Sequence, residues 1–462
     1  MALISSETVD QVNAISILEL AERLGDNPNR RGKQYIVYCP NPNHQETKDP
    51  DTSIDPTRNI FKCFGGGSCG AGGKSSISYY SWHEFGGYEP KEHFIKAVKG
   101  IAKLMGIPIK LDNGQIISAG DTNYVPRKSA PRAEQLEPQN AAVIDKVYRA
   151  FLSLCPLNSQ HEKELSEKRK YTAEEIKLHM FRSVPTAQQW VNIYNKLHGA
   201  GYPLERVPGF SQQFVPDTME HPFPDHLVER DEELKGVWIY GPSTLDGTSY
   251  FIPVTDEFGR ITRLRVRKNE GSPKYVWFSS MHNIGVEKNP LRLRRNGVTS
   301  GAPVNVVVPP KIAVSWKPGD HITDMIKVHT VLVTEGEHKS AISSKLLEIT
   351  VIGVAGVGNY RELLQMIKKW GIKKFIIAYD MDTLQKEDDS IKAVKKQQNL
   401  FQTLKDFSLE VMKLNVDCYL WSWDMKDGKG LDDLLLRGML PIEYNLTTGE
   451  RRTVDIKDLE KL

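Results

Sequence analysis

The sequence predicts a protein of several domains, in which a mixed α+β front and middle precede an α/β region near the C-terminal end. Three observations lead to this fold class: cysteine and histidine residues paired between positions 39 and 69, a polar stretch at 113–139, and apolar strands that alternate with amphipathic helices from residue 327. The 462 residues, of which 39% are hydrophobic and 26% charged, fit a globular protein of roughly two to four domains.

The front module, residues 1–112, is predicted to be a zinc ribbon. Cys39 and His44 form one close pair, and Cys63 and Cys69 form a second pair after eighteen intervening residues. Zinc takes four nitrogen or sulfur ligands in tetrahedral geometry, and two close pairs on tight turns supply them. The glycine-rich segment CFGGGSCGAGG fits this site, because glycine tolerates the positive φ that a knuckle needs. The alternative is a set of unrelated thiols and a surface histidine, which the spacing disfavours.

Residues 113–139 are polar, contain Pro and Gly and lack an apolar period, which predicts a flexible linker. The next segment, residues 140–326, begins with helical periodicity in AAVIDKVYRAFLSL and continues from Lys235 as short strand-like runs such as GVWIY. A helix should begin at Thr172, because Glu175 follows it at the spacing of a capping box. This segment is therefore expected to be a helical and strand-rich α+β subdomain.

From residue 327 to 440, apolar runs such as VHTVLVTEG and KKFIIAYD alternate with amphipathic helices such as YRELLQMIKKW. The alternation predicts a parallel sheet with helices on both faces, and the chemistry of such a sheet is expected at the carboxyl ends of its strands. Residues 441–462 are expected to form a C-terminal tail.

Acidic residues follow the predicted strands of this sheet. They come in three pairs: Glu335 and Glu337, Asp380 and Asp382, and Asp432 and Asp433. Because parallel strands end at the same edge, the pairs can converge on one spot, where their repulsion favours a bound cation such as Mg²⁺. Two such ions can stabilise the attacking and leaving oxygens of a phosphoryl transfer. The alternative is that the acids only cap helices, since carboxylates favour helix N-termini.

Charge is unevenly distributed along the chain, although the formal net charge is only +3. Positions 260–295 hold ten basic and two acidic residues, a local net charge of +8 that leaves −5 for the rest of the chain. A basic stripe on an acidic body is the electrostatic footprint of a protein that binds a polyanion.

Within this stripe, Arg263, Arg265 and Arg267 alternate along one predicted strand and should project from one face. Arginine suits phosphate because its planar fork binds two oxygens at once. With Lys268 and Lys274, these residues are the candidates for binding a nucleic acid or a nucleotide. The alternative is the solvated face of an antiparallel strand, but such faces are usually mixed in sign.

These motifs together resemble one family, the bacterial and phage-type DNA primases of the TOPRIM superfamily. The segments SILELAERLG, GKQYIVYCPNPNH and NIFKCFGGGSCGAGG are similar, in that order, to the helix, ribbon and knuckle of the family's zinc-binding domain. The stretch YFIPVTDEFGRITRLRVRKNEGSPKYVWFSS resembles the strand-rich, basic part of the primase polymerase core. The E-G-E sequence at 335–337 and the D-M-D sequence at 380–382 resemble the TOPRIM signature, so residues 327–440 would be the TOPRIM catalytic subdomain.

The resemblance implies roles for particular residues. Glu335 would be catalytic, as a metal ligand or a general base, and Asp380 and Asp382 would hold Mg²⁺ or Mn²⁺. Asp432 would match the second acid of the family's later D-x-D-E motif, whose first acid is replaced here by Gly430. The zinc ligands are also spaced more widely than the family's usual C-x2-H and C-x2-C.

The implied activity is that of a DNA primase, a nucleotidyltransferase that copies a single-stranded DNA template into short RNA primers from NTPs, with Mg²⁺ as cofactor. The zinc module would bind the template. Two alternatives remain: a TOPRIM-type metal-dependent nuclease, and a non-catalytic zinc-ribbon replication protein that binds nucleic acid. A helicase would be a separate partner, because SCGAGGKSS has Ser68 where a Walker A phosphate loop requires glycine.

No apolar run approaches the ~18 residues of a membrane-spanning helix. The predicted location is therefore the cytoplasm, that of the host if a phage encodes the chain, without a membrane partner. The departures from the family pattern are compatible with a phage or another mobile genetic element as the source. Cys155 and Cys418 stand alone in apolar surroundings and are expected to be buried thiols.

Overall fold

The computed structural model describes residues 3–32, 34–44, 50–64, 69–117, 136–271, 273–284, 290–358, 360–385 and 391–459. The chain divides into two compact units. The first contains Met1–Pro138, Phe210–Gly241 and Ser279–Gly301, and the second contains Gln139–Gly209, Pro242–Phe278 and Ala302–Leu462. The residues on both sides of the predicted subdomain boundary at 326 and 327 belong to the second unit. Of the predicted linker, residues 118–135 lie outside the described residues.

The described residues of the front module form four helices, a five-stranded sheet and a short hairpin. Its elements are α1 (Ser6–Ala14), α2 (Ile17–Leu24), β1 (Asn29–Arg31), β2 (Gln34–Val37), β3 (Thr52–Asp55), β4 (Ile60–Cys63), β5 (Gly72–Gly73), α3 (Ser76–Phe85), α4 (Pro90–Met105), β6 (Ile109–Lys110) and β7 (Ile116–Ile117). Strands β1 to β5 are antiparallel neighbours in sequence order. The hairpin of β6 and β7 extends the module to residue 117, beyond the predicted boundary at 112.

The middle of the chain contributes one four-stranded sheet to each unit. Its elements are α5 (Ala141–Leu154), α6 (Ser159–Lys163), α7 (Ala173–Leu178), β8 (Arg182–Ser183), α8 (Ala187–Gly199), β9 (Phe210–Pro216), β10 (Val228–Asp231), β11 (Gly236–Pro242), β12 (Tyr250–Thr255), β13 (Ile261–Arg267), β14 (Tyr275–Trp277) and β15 (Arg294–Arg295). The first unit contains the order β10-β11-β9-β15 and the second β14-β13-β12-β8. The predicted capping box at Thr172 and Glu175 opens α7.

The C-terminal part of the second unit is built on a seven-stranded sheet. Its elements are β16 (Asn305–Val307), α9 (Pro310–Ala313), α10 (Ile322–Met325), β17 (Thr330–Glu335), α11 (Glu337–Leu347), β18 (Thr350–Val354), α12 (Arg361–Trp370), β19 (Lys374–Ile377), α13 (Ile391–Met412), β20 (Asp417–Ser422), α14 (Leu431–Leu436), β21 (Ile442–Asn445) and β22 (Arg451–Thr453). The strand order is β16-β18-β17-β19-β20-β21-β22. Four central strands are parallel, whereas β16, β21 and β22 pair antiparallel, so the sheet is mixed rather than purely parallel.

Alternate residues of the parallel strands bury opposite faces of this sheet. Val331 and Phe375 join the core formed with α12 and α13. Leu332 and Ile376 join the core formed with α14. This two-sided burial explains the continuous apolar runs in the sequence and confirms the α/β class predicted for this region. Within the described segments, no helix has an apolar stretch long enough to cross a membrane.

The prediction of a C-terminal tail at 441–462 was wrong for the described residues, because β21 continues the sheet beside β20. Glu443 of β21 is 2% exposed and accepts hydrogen bonds from Trp421 Nε1 at 3.0 Å and from Arg452 Nη2 at 2.9 Å. The oxygen that accepts from Trp421, Oε2, also lies 2.8 Å from Lys374 Nζ. These partners hold the pKa of Glu443 below its usual range despite burial, and they tie the terminal hairpin to β19 and β20.

Glu443→Ala is expected to lower the free energy of unfolding by about 2–4 kcal/mol, because it leaves Lys374 without its carboxylate and Trp421 without its acceptor. Urea unfolding followed by tryptophan fluorescence measures the change. Glu450→Ala is the matched control, since Glu450 is exposed in the turn between β21 and β22, and it should change the value by less than about 0.5 kcal/mol. Equal effects of the two substitutions would contradict the anchoring role of Glu443.

Candidate metal centres

The structure brings the four predicted zinc ligands together. One ligand atom from each of Cys39, His44, Cys63 and Cys69 lies within 4.8 Å of all the others. The Sγ atoms of Cys39 and Cys69 are 3.5 Å apart, and Sγ of Cys63 lies 3.3 Å from Nδ1 of His44. A tetrahedral zinc ion with bonds of about 2.1–2.3 Å separates its ligands by about 3.4–3.8 Å. The tetrad therefore fits a structural zinc ion.

Local backbone geometry places these ligands. Cys63 is the last residue of β4, and its N–H donates to the carbonyl of Ala71, which returns the chain beside Cys69. The N–H of Ala71 donates to Sγ of Cys69 at 3.4 Å. On the other side, the N–H of His44 closes a turn on the carbonyl of Asn41 at 3.0 Å. His44 therefore lies on a tight turn after Cys39, and Cys69 lies beside Cys63 because the chain at Ala71 pairs with the end of β4.

The thiols of this tetrad do not ionise independently. Hydrogen bonds from Cys39 and then Cys63 lower the pKa of Cys69 and stabilise its thiolate. The pKa of Cys39 is raised by its contacts with Cys63 and Cys69, because a further thiolate there would lie beside existing negative charge. A divalent cation removes this conflict, since a coordinating thiol is deprotonated outright. The expected buried thiols Cys155 and Cys418 lie elsewhere, and burial raises the pKa of Cys418 to about 12.

Four of the predicted acids lie at the carboxyl edge of the seven-stranded sheet, although among the described residues only the Cys/His tetrad brings three or more potential ligand atoms within 4.8 Å of one another. Glu335 ends β17, and Asp380 and Asp382 follow β19, which is hydrogen-bonded to β17. Asp432 stands in the first turn of α14, after β20. Below, these four residues are called the carboxylate centre. They are largely buried, with Asp380, Asp382 and Asp432 at most 8% exposed.

Three cations that the sequence prediction missed contact the carboxylate centre. Lys339 forms an ion pair with Asp380, and Lys429 Nζ lies 2.8 Å from Oδ2 of Asp382. Arg169 Nη1 lies 3.5 Å from Oδ2 of Asp432. The one available signal was local: Lys339 stands four residues after Glu335, close enough to return to the same strand end. Arg169 lies 263 positions away from Asp432, so no local pattern could identify it.

Negative charge in the carboxylate centre is only partly neutralised by these cations. Burial, with the nearby charge of Asp380, raises the pKa of Glu335 to about 7. Burial also raises the pKa values of Asp380 and Asp432, although Lys339 opposes both shifts. Oδ1 of Asp432 is buried and has no hydrogen-bond partner among the described residues. Buried carboxylates with an unused oxygen fit a divalent cation such as Mg²⁺.

The other two predicted acids have different surroundings. Glu337 is 6% exposed, and its Oε1 lies 3.4 Å from Nε of Arg265. Asp433 is exposed, and its Oδ2 accepts from the N–H of Gly430 at 3.5 Å. Asp433 therefore caps α14, which is the capping role that the sequence had left open as an alternative.

Two features position α11 and hence Lys339. Gly336 adopts φ +88°, which permits the sharp turn from strand to helix. The next residue but one, His338, is buried between Tyr250, whose hydroxyl is 2.8 Å from Nε2, and Tyr171, whose hydroxyl is 3.2 Å from Nδ1. Burial lowers the pKa of His338 well below its usual value, so the imidazole is neutral and acts as a structural link.

The predicted basic stripe is divided between the units, because Arg294 and Arg295 belong to the first unit and β13 to the second. Arg263, Arg265 and Arg267 share one face of β13, but all three are partly buried. Arg265 pairs with Glu337 and stacks on the Trp277 ring at 4.5 Å.

Its neighbours on β13 are also engaged. Arg267 Nη2 lies 3.0 Å from Oε1 of Glu164, and Arg263 donates to the carbonyl of Thr262. Lys268 and Lys274 follow at the hairpin turn, where Lys274 is exposed. The arginines are therefore neither a free stripe nor a solvated face.

Comparison with known proteins supports the resemblance for the front module. Residues 4–116 match the sequence model of the CHC2 zinc finger family. DNA primases of Listeria monocytogenes and Listeria innocua are each 29% identical over 138 residues, which is 30% of this chain and 19% of those proteins. The match thus spans about a fifth of the curated relatives.

Two solved structures are also similar. The zinc-binding and RNA polymerase domains of the Aquifex aeolicus primase give a TM-score of 0.38 at 16% identity, covering 94% of this chain and 85% of that one. The RNA polymerase domain of the Mycobacterium tuberculosis primase DnaG gives 0.38 at 12% identity, covering 65% and 83%.

Cys63→Ser is expected to reduce zinc affinity by about 100-fold or more and to unfold the ribbon, because the folding of a structural zinc site is coupled to metal binding. Zinc per chain and proteolysis of the front module measure the two effects. Cys155→Ser should retain one zinc ion, since Cys155 is outside the tetrad. Full zinc retention by Cys63→Ser would exclude Cys63 as a ligand.

The raised pKa of Glu335 predicts a pH dependence of stability in zinc-loaded protein without added Mg²⁺. From pH 4.5 to about 7 the unfolded chain ionises Glu335 while the folded chain still holds the proton, so ionisation destabilises the folded state as pH rises through this window. Glu335→Gln should therefore gain stability relative to the wild type over this window, by at most about 3 kcal/mol. Urea unfolding at pH 4.5, 6 and 7.5 tests this, and a pH-independent difference would contradict the shift.

Proposed function

We propose that this protein is a DNA primase, which synthesises short RNA primers on single-stranded DNA by metal-dependent nucleotidyl transfer. The observation that carries the proposal is the combination, in one chain, of a CHC2 zinc finger match at residues 4–116 with a carboxylate centre at the ends of two paired parallel strands. A zinc finger alone fits many nucleic-acid-binding proteins, and a carboxylate centre alone fits several metal-dependent enzymes.

In the proposed reaction, a 3′-hydroxyl attacks the α-phosphate of an NTP, the new phosphodiester bond forms, and pyrophosphate leaves. Glu335, Asp380, Asp382 and Asp432 would hold the divalent cation, Mg²⁺ or Mn²⁺, which when bound stabilises charge on the reacting phosphate. Glu335 ends β17, the strand paired with β19, and would act either as a ligand of the cation or as the base that accepts the hydroxyl proton. Asp380 and Asp382 are oriented by Lys339 and Lys429.

Groups for binding nucleic acid are present in both units. In the zinc module, Phe64 is 64% exposed beside Lys62, whose Nζ lies 5.4 Å from the ring centre, and Tyr38 is also exposed. Aromatic rings next to a cation suit unpaired bases, which stack without regard to sequence. In the second unit, Arg265 stacked on Trp277 is the matching candidate for template or nucleotide.

Two other functions remain candidates for the same groups. A metal-dependent nuclease would use the carboxylate centre for hydrolysis, and a zinc-ribbon binding protein would need no chemistry there. Single-stranded DNA with one label, incubated with Mg²⁺ with and without NTPs that carry a second label, separates the three. New labelled RNA favours the primase, shortened DNA favours the nuclease, and unchanged DNA without labelled RNA favours the binding protein. A separate helicase as partner is part of the primase proposal.

Asp380→Ala is expected to reduce primer synthesis by about 100-fold or more without unfolding the protein, since it removes a cation ligand from the carboxylate centre. NTP incorporation on a panel of single-stranded templates is the measurement. Asp433→Ala is the matched control, because this exposed acid also follows a strand of the sheet but serves as a helix cap. A folded Asp380→Ala protein that is still active would overturn the proposed site.

A further inference from the structure

Lys339 occupies space that an ordinary residue at position 430 would fill. A Cβ atom at Gly430 would lie 2.8 Å from Cε of Lys339 and 2.6 Å from Oδ1 of Asp432. Both distances are shorter than van der Waals contact. A side chain at position 430 would therefore have to displace the end of the Lys339 side chain, whose ammonium group forms an ion pair with Asp380.

The two positions change the charge of the carboxylate centre in the same direction. Gly430 stands where the sequence resemblance leads one to expect an acid, and Lys339 adds a positive charge in the adjoining space. When all four carboxylates are ionised, they face three cations among the described residues, Lys339, Lys429 and Arg169, which leaves a formal charge of −1. One divalent cation more than neutralises this charge, and a second would be repelled by both the first ion and the ammonium group.

We propose that Lys339 supplies, as part of the chain, the positive charge that a second divalent cation would bring, so that the carboxylate centre takes up one divalent cation. The inference rests on the proposed function insofar as it takes this centre to be the metal site of nucleotidyl transfer. It deepens that function by assigning the second cation's place to an ammonium group. An ammonium group has three donors, so after its contact with Asp380 it retains hydrogen atoms for phosphate oxygens.

Of the two lysines, Lys339 is the one suited to this role. Its side chain is 25% exposed, compared with 46% for Lys429, and its ammonium interacts with Asp432 and Glu335 as well as Asp380. Lys429 contacts Asp382 from the more exposed side. A charge near the middle of the centre affects every ligand, whereas a charge at its edge is screened by solvent.

The test is a titration of zinc-loaded, full-length protein with Mn²⁺, in which free Mn²⁺ is followed by electron paramagnetic resonance. Wild type is expected to bind one Mn²⁺ that Asp382→Asn eliminates. Lys339→Met is expected to bind two, the first about tenfold more tightly than wild type. Three results would each overturn the proposal. The wild type could bind two Asp382-dependent ions, it could bind none, or wild type and Lys339→Met could both bind one.

Three further variants make the titration specific to charge. Lys339→Arg keeps the positive charge and should keep one ion. Lys339→Gln removes the charge but keeps a polar side chain, should bind two ions, and replaces Lys339→Met if that variant does not fold. Lys311→Met removes a half-exposed lysine paired with Glu348 in the same unit and should titrate as wild type does. Two ions bound by Lys339→Arg or by Lys311→Met would overturn the role of the Lys339 charge.

The titration contains neither nucleotide nor template, so its outcome is separate from that of primer synthesis. If the wild type makes primers but Lys339→Met still binds one ion, the proposed role of Lys339 is rejected and the primase proposal stands. If Lys339→Met binds two ions where the wild type binds one, but the wild type makes no primers, the primase proposal is rejected and the role of Lys339 stands.

Discussion

The second unit depends on one electrostatic constraint: carboxylates that follow neighbouring parallel strands are forced to the same buried edge, where they repel one another. Strands β17 and β19 are paired, so Glu335 and Asp380 cannot separate without breaking the sheet. The raised pKa of Glu335 expresses this conflict. Lys339, Lys429 and Arg169 each reduce the repulsion between the carboxylates, and a divalent cation would reduce it further.

The zinc tetrad in the first unit also holds groups close together that repel one another when they are deprotonated, but its ligands are softer. Three thiols and an imidazole within 4.8 Å of one another cannot all reach the ligating, deprotonated form without a cation. The strands that lead to the tetrad have at most four residues each, and Cys39 and Cys63 are themselves part of the hydrophobic core of the front module, so a change at the metal site reaches that core directly. Metal and fold are therefore coupled more tightly in the zinc module than in the carboxylate centre, where a large sheet holds the ligands in place independently.

Sequence reasoning worked wherever a local pattern carries the information. The zinc ligands and the acids after β17 and β19 could be found because strand ends and close pairs are visible in a few consecutive residues. It failed where the partners are distant: Arg169 approaches Asp432, and Glu443 draws the last hairpin into the sheet by binding Lys374. A basic composition also cannot show which arginines are already paired, so the stripe over positions 260–295 was predicted as one surface although two units share it.

The pairing of those arginines changes what a phosphate group would gain from them. Arg265 is held by Glu337 and by the face of Trp277, and Arg267 is held by Glu164. A phosphate reaching either side chain replaces a carboxylate rather than water, so the net gain is smaller than at a free arginine, as it is for any exchange of one ion pair for another. In return, the guanidinium groups are already oriented, and little side-chain entropy is lost on binding. Such a surface would favour precise placement of a phosphate over strong attraction of any polyanion, as the proposed templated reaction requires.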